Sequence, residues 1–390
     1  MNSLCDSSDL VVFSHLRWDF VFQRPQHLLT RHAKYRRVFY FEEPVFGMTE
    51  IPRIHIRESI EEVNIIIPYL PSNIKADEIE VALKDLVDEL IYEEDIKDYT
   101  LWYYTPMALA FTQHLRPKAT IFDCMDELSL FKNAPKKLIE MEKLLMKKAQ
   151  LVFTGGHSLY EAKKNHHHNI HPFPSSIEYE HFAQGRLKLI EPEDQIEIPH
   201  PRVGFYGVID ERFDSELLEE MASIRKDLQF IIIGPVAKIE ESSLPRKDNI
   251  HYFGKKEYHS LPLYLSGWDC AMMPFKLNDA TRFISPTKTP EYLAAGRPVV
   301  STAIKDVIYP YQNEKLVHIA YGASEFISSI EDAIFESKDP NWIRRIDSFL
   351  QLNSWDKTFE KMASLEKKLH QNENIGILPQ VEEFISGGII

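Results

Sequence analysis

The stretch Asp279–Thr302, DATRFISPTKTPEYLAAGRPVVST, predicts a loop, a helix, a tight turn and a strand in that order. Pro290 suits the first turn of a helix, where the N–H group that proline lacks would have no helical partner. Gly296 suits the left-handed residue that ends a helix, and Pro298 keeps the helix from continuing. The valine pair that follows begins a buried strand. A helix joined to an apolar strand in this way is typical of an α/β domain.

Short apolar runs alternate with amphipathic helical patterns along the rest of the chain. Most of these runs are apolar on both faces, which is typical of a parallel sheet covered by helices on both sides. The predicted strands are Leu10–Ser14, Val38–Glu42, Val63–Tyr69, Leu101–Thr105, Ala119–Asp123, Leu151–Thr154 and Ile170–Phe173 in the first half, and Val203–Tyr206, Leu228–Ile233, Ile250–Phe253, Cys270–Pro274, Val299–Ser301 and Val317–Ala320 in the second. The sequence therefore predicts the α/β fold class, with two Rossmann-like, doubly wound domains that face each other across a cleft.

The acidic stretch Glu191–Pro199 marks the expected boundary between these domains, because it holds four acids, two prolines and no basic residue. We predict an N-terminal domain over residues 1–183, an exposed acidic linker over 184–200 and a C-terminal domain over 201–353. Residues 354–390 are predicted to form a helix that crosses back to the first domain, followed by a tail. Ser354 suits the N-cap of that helix.

The composition excludes several classes of protein. The chain holds 45 lysines and arginines against 59 acids, so its net charge of −14 opposes nucleic-acid binding. Its three cysteines are far apart, which excludes a disulfide framework and a CxxC metal site. The histidines at 166–168 and 171 have no ligand spacing typical of a metal site, so we expect no metal. No apolar run suits a membrane span and residues 1–9 do not match a secretory signal, so we expect a cytoplasmic protein.

The loop before the predicted helix carries groups suited to bind phosphate. A helix N-terminus presents unpaired N–H groups and a partial positive charge, and Arg282 and Lys288 would add the full charges that a diphosphate attracts. Ser285 and Thr287 supply hydroxyls in the same loop. The ionised Glu291 would accept hydrogen bonds from the hydroxyls of a ribose. The alternative that Lys288 and Glu291 form an ordinary solvated surface pair stays open.

Further phosphate-binding candidates follow other strands of the second half. Gly207 ends the strand Val203–Tyr206 and would let the backbone come close to a ligand. Arg212, in the same loop, is a candidate clamp for a diphosphate, and Lys276 follows the strand Cys270–Pro274. A solvated surface position is equally consistent with the sequence for both cations.

Acid–base candidates follow a strand of the first half. Asp126 is our first choice as a general base, because crowding with Asp123 and Glu127 would raise the pKa of one carboxyl toward neutrality. The alternative is that Asp126 caps the following helix.

The loop after the first strand supplies the remaining candidates for the cleft. His15 and Asp19 are further candidates for catalysis. Arg17, Arg24 and Asp123 are predicted to line the first-domain side of the cleft, since loops at the carboxyl ends of strands face the ligand. The alternative is that the arginines pair locally at the surface.

Three motifs in the expected order resemble one family. The segment Pro286–Thr302, PTKTPEYLAAGRPVVST, resembles the nucleotide-sugar segment of glycosyltransferases with the two-domain GT-B fold. The segments Phe13–Arg31, FSHLRWDFVFQRPQHLLTR, and Phe122–Glu127, FDCMDE, resemble the branch that builds teichuronic acid and other surface polysaccharides. The resemblance extends from Asp9 to about Leu369.

The resemblance implies a glycosyltransferase of cell-surface polysaccharide biosynthesis that needs no cofactor. Its C-terminal domain would bind a nucleotide diphosphate sugar, with a UDP-sugar as the favoured donor, and its N-terminal domain would bind a glycan or lipid-linked acceptor. Retaining members often carry a glutamate, seven other residues and a second glutamate. Here Glu291 holds the second position and Phe283 the first, so the stereochemistry stays open.

Two features leave alternatives open. Six lysines lie on a predicted amphipathic helix over Lys132–Lys148, which suits peripheral contact with the inner face of a membrane, although a solvated lysine face explains it as well. The missing first glutamate also suits a non-catalytic GT-B scaffold. A non-hydrolysing nucleotide-sugar epimerase would share the fold.

Overall fold

The computed structural model describes residues 7–187 and 189–374, which contain two parallel-sheet domains. The strands of the first domain are β1 (Asp9–Phe13), β2 (Val38–Phe41), β3 (Val45–Phe46), β4 (Arg53–Glu58), β5 (Asn64–Leu70), β6 (Tyr99–Tyr103), β7 (Ala119–Cys124), β8 (Leu151–Thr154) and β9 (Ile170–Pro172). Its helices are α1 (Arg24–Ala33), α2 (Ala76–Glu93), α3 (Leu109–Thr112), α4 (Lys137–Lys148), α5 (His157–Lys163) and α6 (Tyr179–Ala183).

The first sheet is built around β1, in the order β3-β5-β2-β1-β6-β7-β8-β9. Its neighbouring strands run parallel, and Leu10 of β1 pairs with Val38 on one side and Thr100 on the other. Leu10 then packs into the hydrophobic core on one face of the sheet, whereas the next residue, Val11, packs into the core on the opposite face. This burial on both faces is why the strand is apolar throughout.

The second domain repeats the arrangement with a sheet of six strands. The strands are β10 (Arg202–Tyr206), β11 (Gln229–Ile233), β12 (Ile250–Tyr252), β13 (Cys270–Met273), β14 (Val299–Ser301) and β15 (Val317–Ile319), in the order β12-β11-β10-β13-β14-β15. The helices are α7 (Glu193–Ile196), α8 (Ser215–Ile224), α9 (Leu261–Ser266), α10 (Lys288–Ala294), α11 (Lys305–Val307), α12 (Ala323–Glu336) and α13 (Pro340–Leu350). All five strand pairings of this sheet are parallel. The predicted pair of doubly wound α/β domains is confirmed.

The last helix, α14 (Trp355–Asn374), packs against the first domain. The indole of Trp355 stacks on the imidazole of His27 in α1, with 4.5 Å between ring centroids. Further along, Arg36 donates two hydrogen bonds of 2.8 Å to the buried Glu366. These contacts tie the end of the described chain to its beginning. The tail predicted after the helix, residues 375–390, lies outside the described residues.

Three details differ from the sequence prediction. Strands β3 and β4, which both pair with β5, were not predicted. Apolar residues alternate with charged or polar ones along β4, which lies antiparallel to β5. The expected linker is not exposed throughout, because Gln195 is fully buried and accepts a 3.0 Å hydrogen bond from the Trp268 indole of the second domain. The basic helix begins at Lys137, so residues 132–136 are not helical.

Candidate active site

A cavity of about 710 Å³ lies between the two domains, at the carboxyl ends of strands from both sheets. The first domain contributes the segment after β1 and Asp126 after β7. The second domain contributes Gly207 after β10, Gly234 after β11 and the first turn of α10. Ligands of open α/β sheets bind at this edge, so the cavity is the candidate active site.

Lys288, the first residue of α10, lines this cavity without an ionic partner. Its ammonium group lies 3.4 Å from the Thr287 hydroxyl and forms no ion pair with a described residue. Burial lowers the pKa of Lys288, and the nearby carboxylate of Glu291 opposes that change. Gly207 leaves the room that this side chain occupies, because a Cβ at position 207 would lie 3.0 Å from Lys288 Cε. Lys288 therefore presents an ammonium group without an ion-pair partner among the described residues to the cavity.

Glu291 lies three residues after Lys288, in the first turn of α10, and is 5% exposed. The hydroxyl of Tyr206 donates a 2.5 Å hydrogen bond to Glu291 Oε2. Burial raises the pKa of Glu291 to about 7, while the Lys288 charge and the Tyr206 hydrogen bond act in the opposite direction. The second carboxylate oxygen accepts no hydrogen bond within the described ranges, and the residue lines the cavity.

Sequence reasoning did not assign Tyr206 to the site. The tyrosine ends β10, directly before Gly207, and its N–H donates to the hydroxyl of Tyr292 at 2.9 Å. An aromatic residue at the end of a buried strand suits the core equally well, so its role shows only when β10 and α10 are brought together.

Asp126 reaches the cavity from the first domain. Its carboxylate makes no hydrogen bond to a described side chain or backbone group. Burial raises the pKa of Asp126, and the positive charges of Arg212 and Arg24 oppose that increase. Glu127 is not available for the same role, because its carboxylate pairs with Lys163 at 2.6 Å. Of the neighbouring acids in this motif, Asp126 is therefore the one free to meet a ligand.

Arg212 also lines the cavity, but a neighbouring acid already holds it. Its guanidinium bonds to Asp210 at 2.6 Å and lies 5.3 Å from the ring centroid of Phe131, a first-domain residue. Lys238 approaches the same ring to 5.1 Å. Phe131 thus crosses the cleft between two second-domain cations.

The predicted cleft residues Arg24 and Asp123 form a buried ion pair with each other. Arg24 donates to both carboxylate oxygens of Asp123 at 2.9–3.1 Å and to the carbonyl of Phe173 at 2.8 Å. Asp123 is fully buried and does not line the cavity. Asp123 therefore does not line this cavity, whereas Arg24 borders it and donates its hydrogen bonds to first-domain groups. Their predicted roles in the cleft stay predictions.

The first loop places its predicted residues differently from what the sequence suggested. His15 does not line the cavity; burial lowers its pKa to about 4, which keeps the ring neutral. Arg17 also lies outside the cavity wall, where it bonds Glu42 at 2.9 Å. Asp19 borders the outer end of the cavity, but its carboxylate is 73% exposed and pairs with Arg57. The structure therefore places His15 and Arg17 outside the cavity wall and Asp19 at its exposed end, and the roles predicted for these three residues stay predictions.

The predicted phosphate loop divides into residues that face the cavity and residues that do not. Ser285 and Thr287 line it together with Lys288, whereas Lys276 and Arg282 do not. The exposed Arg282 lies over the ring of Phe283, 5.1 Å from its centroid. Phe283 itself packs against the first-domain core. Lys276 and Arg282 therefore lie outside the wall of this cavity, and their role as phosphate ligands stays a prediction.

A stacked group of aromatic rings closes the cavity near the domain crossover. The Tyr258 ring stacks on Phe22 at 4.7 Å and on His181 at 4.8 Å between centroids. The Tyr258 hydroxyl donates to Glu178 at 3.2 Å. Nearby, Lys255 donates to the backbone carbonyl of Asp19 at 2.9 Å. These contacts from the loop after β12 join the two domains along one side of the cavity.

The described residues contain no group of three or more metal-ligating side chains. Among the histidines considered earlier, His167 lies 3.0 Å from the carbonyl of Ala149, and His171 lies 2.9 Å from Asn169 Oδ1. The described part of the chain also contains no helix long and apolar enough to cross a membrane.

Comparison with known proteins identifies the fold. Residues 200–334 match the model of the family described as group 1 glycosyl transferases. Over 94% of its length the chain superposes on all of the sucrose-phosphate synthase of Thermosynechococcus elongatus, with a TM-score of 0.65 and 13% identity. Over 93% it superposes on all of Anabaena Alr3699/HepE, solved with UDP and glucose, with a TM-score of 0.68 and 10% identity. The protein has the GT-B glycosyltransferase fold.

Sequence comparison finds one further similar glycosyltransferase. A protein of Bacillus subtilis (strain 168), named as the teichuronic acid biosynthesis glycosyltransferase TuaH, is 23% identical over 205 residues. That match covers 50% of this chain, and the chain spans about half the length of this curated relative, 49%. The resemblance to GT-B glycosyltransferases predicted from the three motifs is confirmed, and residues 200–334 are the part of the chain that matches the group 1 glycosyl transferase model.

Proposed function

We propose that the protein transfers a sugar from a nucleoside diphosphate sugar to a hydroxyl group of an acceptor. The observation that carries the proposal is the position of Lys288, an ammonium group without an ionic partner among the described residues, in a cavity between two GT-B domains. An unpaired buried charge is costly, so the site favours an anionic ligand that would complete it.

The donor would lie with its diphosphate against Lys288 and the backbone at Gly207. Negative charge builds on the diphosphate as the sugar leaves, and a fixed cation in a partly closed cavity stabilises it. The free oxygen of Glu291 would accept hydrogen bonds from the ribose and so fix the orientation of the donor. Thr287 and Ser285 border the same space.

Asp126 faces this space from the other domain and would receive the acceptor hydroxyl. If the reaction inverts the sugar, Asp126 accepts the proton of that hydroxyl, and its raised pKa suits a general base. If the reaction retains the configuration, the leaving diphosphate accepts the proton and Asp126 positions the acceptor. In both cases the nucleotide sugar is a substrate and no resident cofactor or metal takes part, so EDTA would leave the rate unchanged.

We propose UDP as the nucleotide of the donor and a surface-polysaccharide glycan or lipid-linked glycan as the acceptor. Two of the matched structures were solved with UDP or a UDP-sugar, the Anabaena protein and the Escherichia coli trehalose-6-phosphate protein. The name of the Bacillus subtilis relative supports a polysaccharide acceptor.

Contact with an anionic membrane surface would bring a lipid-linked acceptor to the cleft. The outer face of α4 exposes Ile139 at 52% and Leu144 at 38%, and Lys143 and Lys147 are exposed beside them. Apolar side chains flanked by lysines suit the headgroup region of an acidic membrane. Sedimentation with vesicles containing phosphatidylglycerol tests this contact: the wild type should sediment, and the double variant Lys143→Glu, Lys147→Glu should not.

A thermal-shift panel of UDP, GDP, ADP, TDP and CMP tests the donor, since a ligand that binds the native state raises its melting temperature. We expect UDP to give the largest shift. Incubation with UDP-sugars alone provides the control for another activity: formation of a different nucleotide sugar would indicate an epimerase. A protein that none of the five nucleotides stabilises would instead indicate a non-catalytic scaffold.

A further inference from the structure

Asp306 belongs to the second domain but bonds to the first. It lies in α11, just after β14, and is 6% exposed. Its Oδ1 accepts a 2.9 Å hydrogen bond from the backbone N–H of Ser158, in the first turn of α5. A carboxylate at this end of a helix satisfies an N–H group that has no partner inside the helix. Here the capping group comes from another domain, 148 residues along the chain.

Gly156 makes the close approach of the two domains feasible. A Cβ at this position would lie 2.1 Å from Asp306 Oδ2 and 2.9 Å from Ser285 Cβ, both in the second domain. The φ angle of Gly156 is −167°, an extended conformation that any residue adopts. The glycine is therefore required by the space between the domains and not by its own backbone. We call the contact of Gly156 and Ser158 with Ser285 and Asp306 the rear seam.

The rear seam also holds the loop that leads to Lys288. Ser175, at the end of the first domain, donates from its hydroxyl to the carbonyl of Ser285 at 2.7 Å. Phe283, two residues earlier, packs into the first-domain core. Ser285 borders the cavity three residues before Lys288. The position of the cavity lysine relative to Asp126 therefore depends on contacts of its loop with the opposite domain.

We propose that Asp306 is a positioning residue for the sugar transfer: by capping α5 across the rear seam, it keeps the domains closed with Lys288 facing Asp126. This inference rests on the proposed function for its effect on the donor, but the closure itself does not. Opening the seam would leave only a fraction of molecules with a complete cavity, and apparent affinity falls in proportion to that fraction.

Three variants test the seam, with a matched control. Asp306→Ala removes the cap, Asp306→Asn keeps an oxygen acceptor for the Ser158 N–H, and Gly156→Ala inserts a methyl group between the domains. Asp214→Ala is the control, because Asp214 caps α8 within the second domain, through a 3.1 Å hydrogen bond from Leu217. The measurements are small-angle X-ray scattering without ligand and calorimetric titration with UDP.

We expect Asp306→Ala and Gly156→Ala to increase the radius of gyration and to weaken UDP binding about tenfold or more, consistent with loss of a charge-assisted hydrogen bond. Asp306→Asn should restore most of the affinity, and Asp214→Ala should leave both measurements unchanged. Folded Asp306→Ala and Gly156→Ala proteins with wild-type scattering and affinity would overturn the proposal.

Hydrogen exchange of the wild type keeps the test decisive if the variants fail to fold. The Ser158 amide should be protected together with the core strands, because its hydrogen bond breaks only when the seam opens. Exchange of this amide as fast as that of exposed loops would overturn the proposal. If the wild type bound no nucleoside diphosphate, the proposed function would fail, while scattering and exchange would still decide whether Asp306 holds the domains closed.

Discussion

The hydroxyl of Tyr206 donates a 2.5 Å hydrogen bond to the carboxylate of Glu291 inside the cavity between the domains. This bond joins the last residue of β10 to the first turn of α10 and leaves the second oxygen of Glu291 for a ligand. A ribose held by that oxygen would be oriented by the tyrosine, although the tyrosine need not touch it.

Tyr206→Phe should therefore weaken binding of UDP more than binding of pyrophosphate, which has no ribose. We expect a loss of about 1.5–3 kcal/mol for UDP, the range for a hydrogen bond to a charged group. Titration calorimetry with both ligands measures the difference. Tyr264→Phe is the control. The Tyr264 hydroxyl donates a 3.0 Å hydrogen bond to Asp194, and Tyr264 does not line the cavity. Equal losses for the two ligands would show that Glu291 does not hold ribose.

Glu291→Gln should stabilise the folded protein at alkaline pH. Burial raises the pKa of Glu291 from 4.5 to about 7, so between these values the folded protein binds a proton that the unfolded chain has released. Stability therefore falls as the pH rises through this window, and the cost is complete above it. Urea unfolding should show the variant about 3 kcal/mol more stable than the wild type at pH 8, with no difference at pH 4. A difference that did not change with pH would contradict the raised pKa.

Asp126→Asn should separate donor binding from transfer. The amide keeps the size of the side chain but cannot accept the acceptor's proton as a base. For an inverting reaction we expect UDP affinity within about twofold of the wild type and a loss of turnover of about 100-fold or more. Single-turnover product formation with a radiolabelled donor measures the rate. Turnover near the wild-type value would assign Asp126 a positioning role at most.

Arg24→Ala should destabilise the first domain strongly, because it leaves the fully buried Asp123 without its partner. Breaking a buried pair in this way costs about 3–5 kcal/mol, measured as the free energy of unfolding in urea. Arg37→Ala is the matched control: its side chain is 48% exposed and its pair with Asp9 should contribute at most about 1 kcal/mol. A small effect of Arg24→Ala would mean that the pair is not needed for folding.

The fold was largely predictable because its signals are local. One short segment holds Pro290, Gly296 and the valine pair before Ser301. This segment forms α10 and β14 almost where the pattern placed them. The sequence of the missed strand β4 alternates polar and apolar residues, because one face of the strand is solvated. This polar sequence resembles that of a loop.

The site was only partly predictable because the direction of a side chain depends on distant partners. Lys288 and Arg282 are six residues apart and carry the same charge, yet only Lys288 lines the cavity. Arg24 begins α1 and Asp123 lies near the end of β7, 99 residues away in sequence, yet the two side chains pair with each other. No local pattern reports such a pairing.

Titration calorimetry of UDP against the wild type, Lys288→Ala and Lys276→Ala decides whether Lys288 binds the diphosphate. Both lysines lie between β13 and β14 in sequence, but Lys276 lies outside the cavity. We expect Lys288→Ala to weaken UDP binding by about 1.5–3 kcal/mol and Lys276→Ala to leave it unchanged. Equal affinity of the wild type and Lys288→Ala would contradict this expectation.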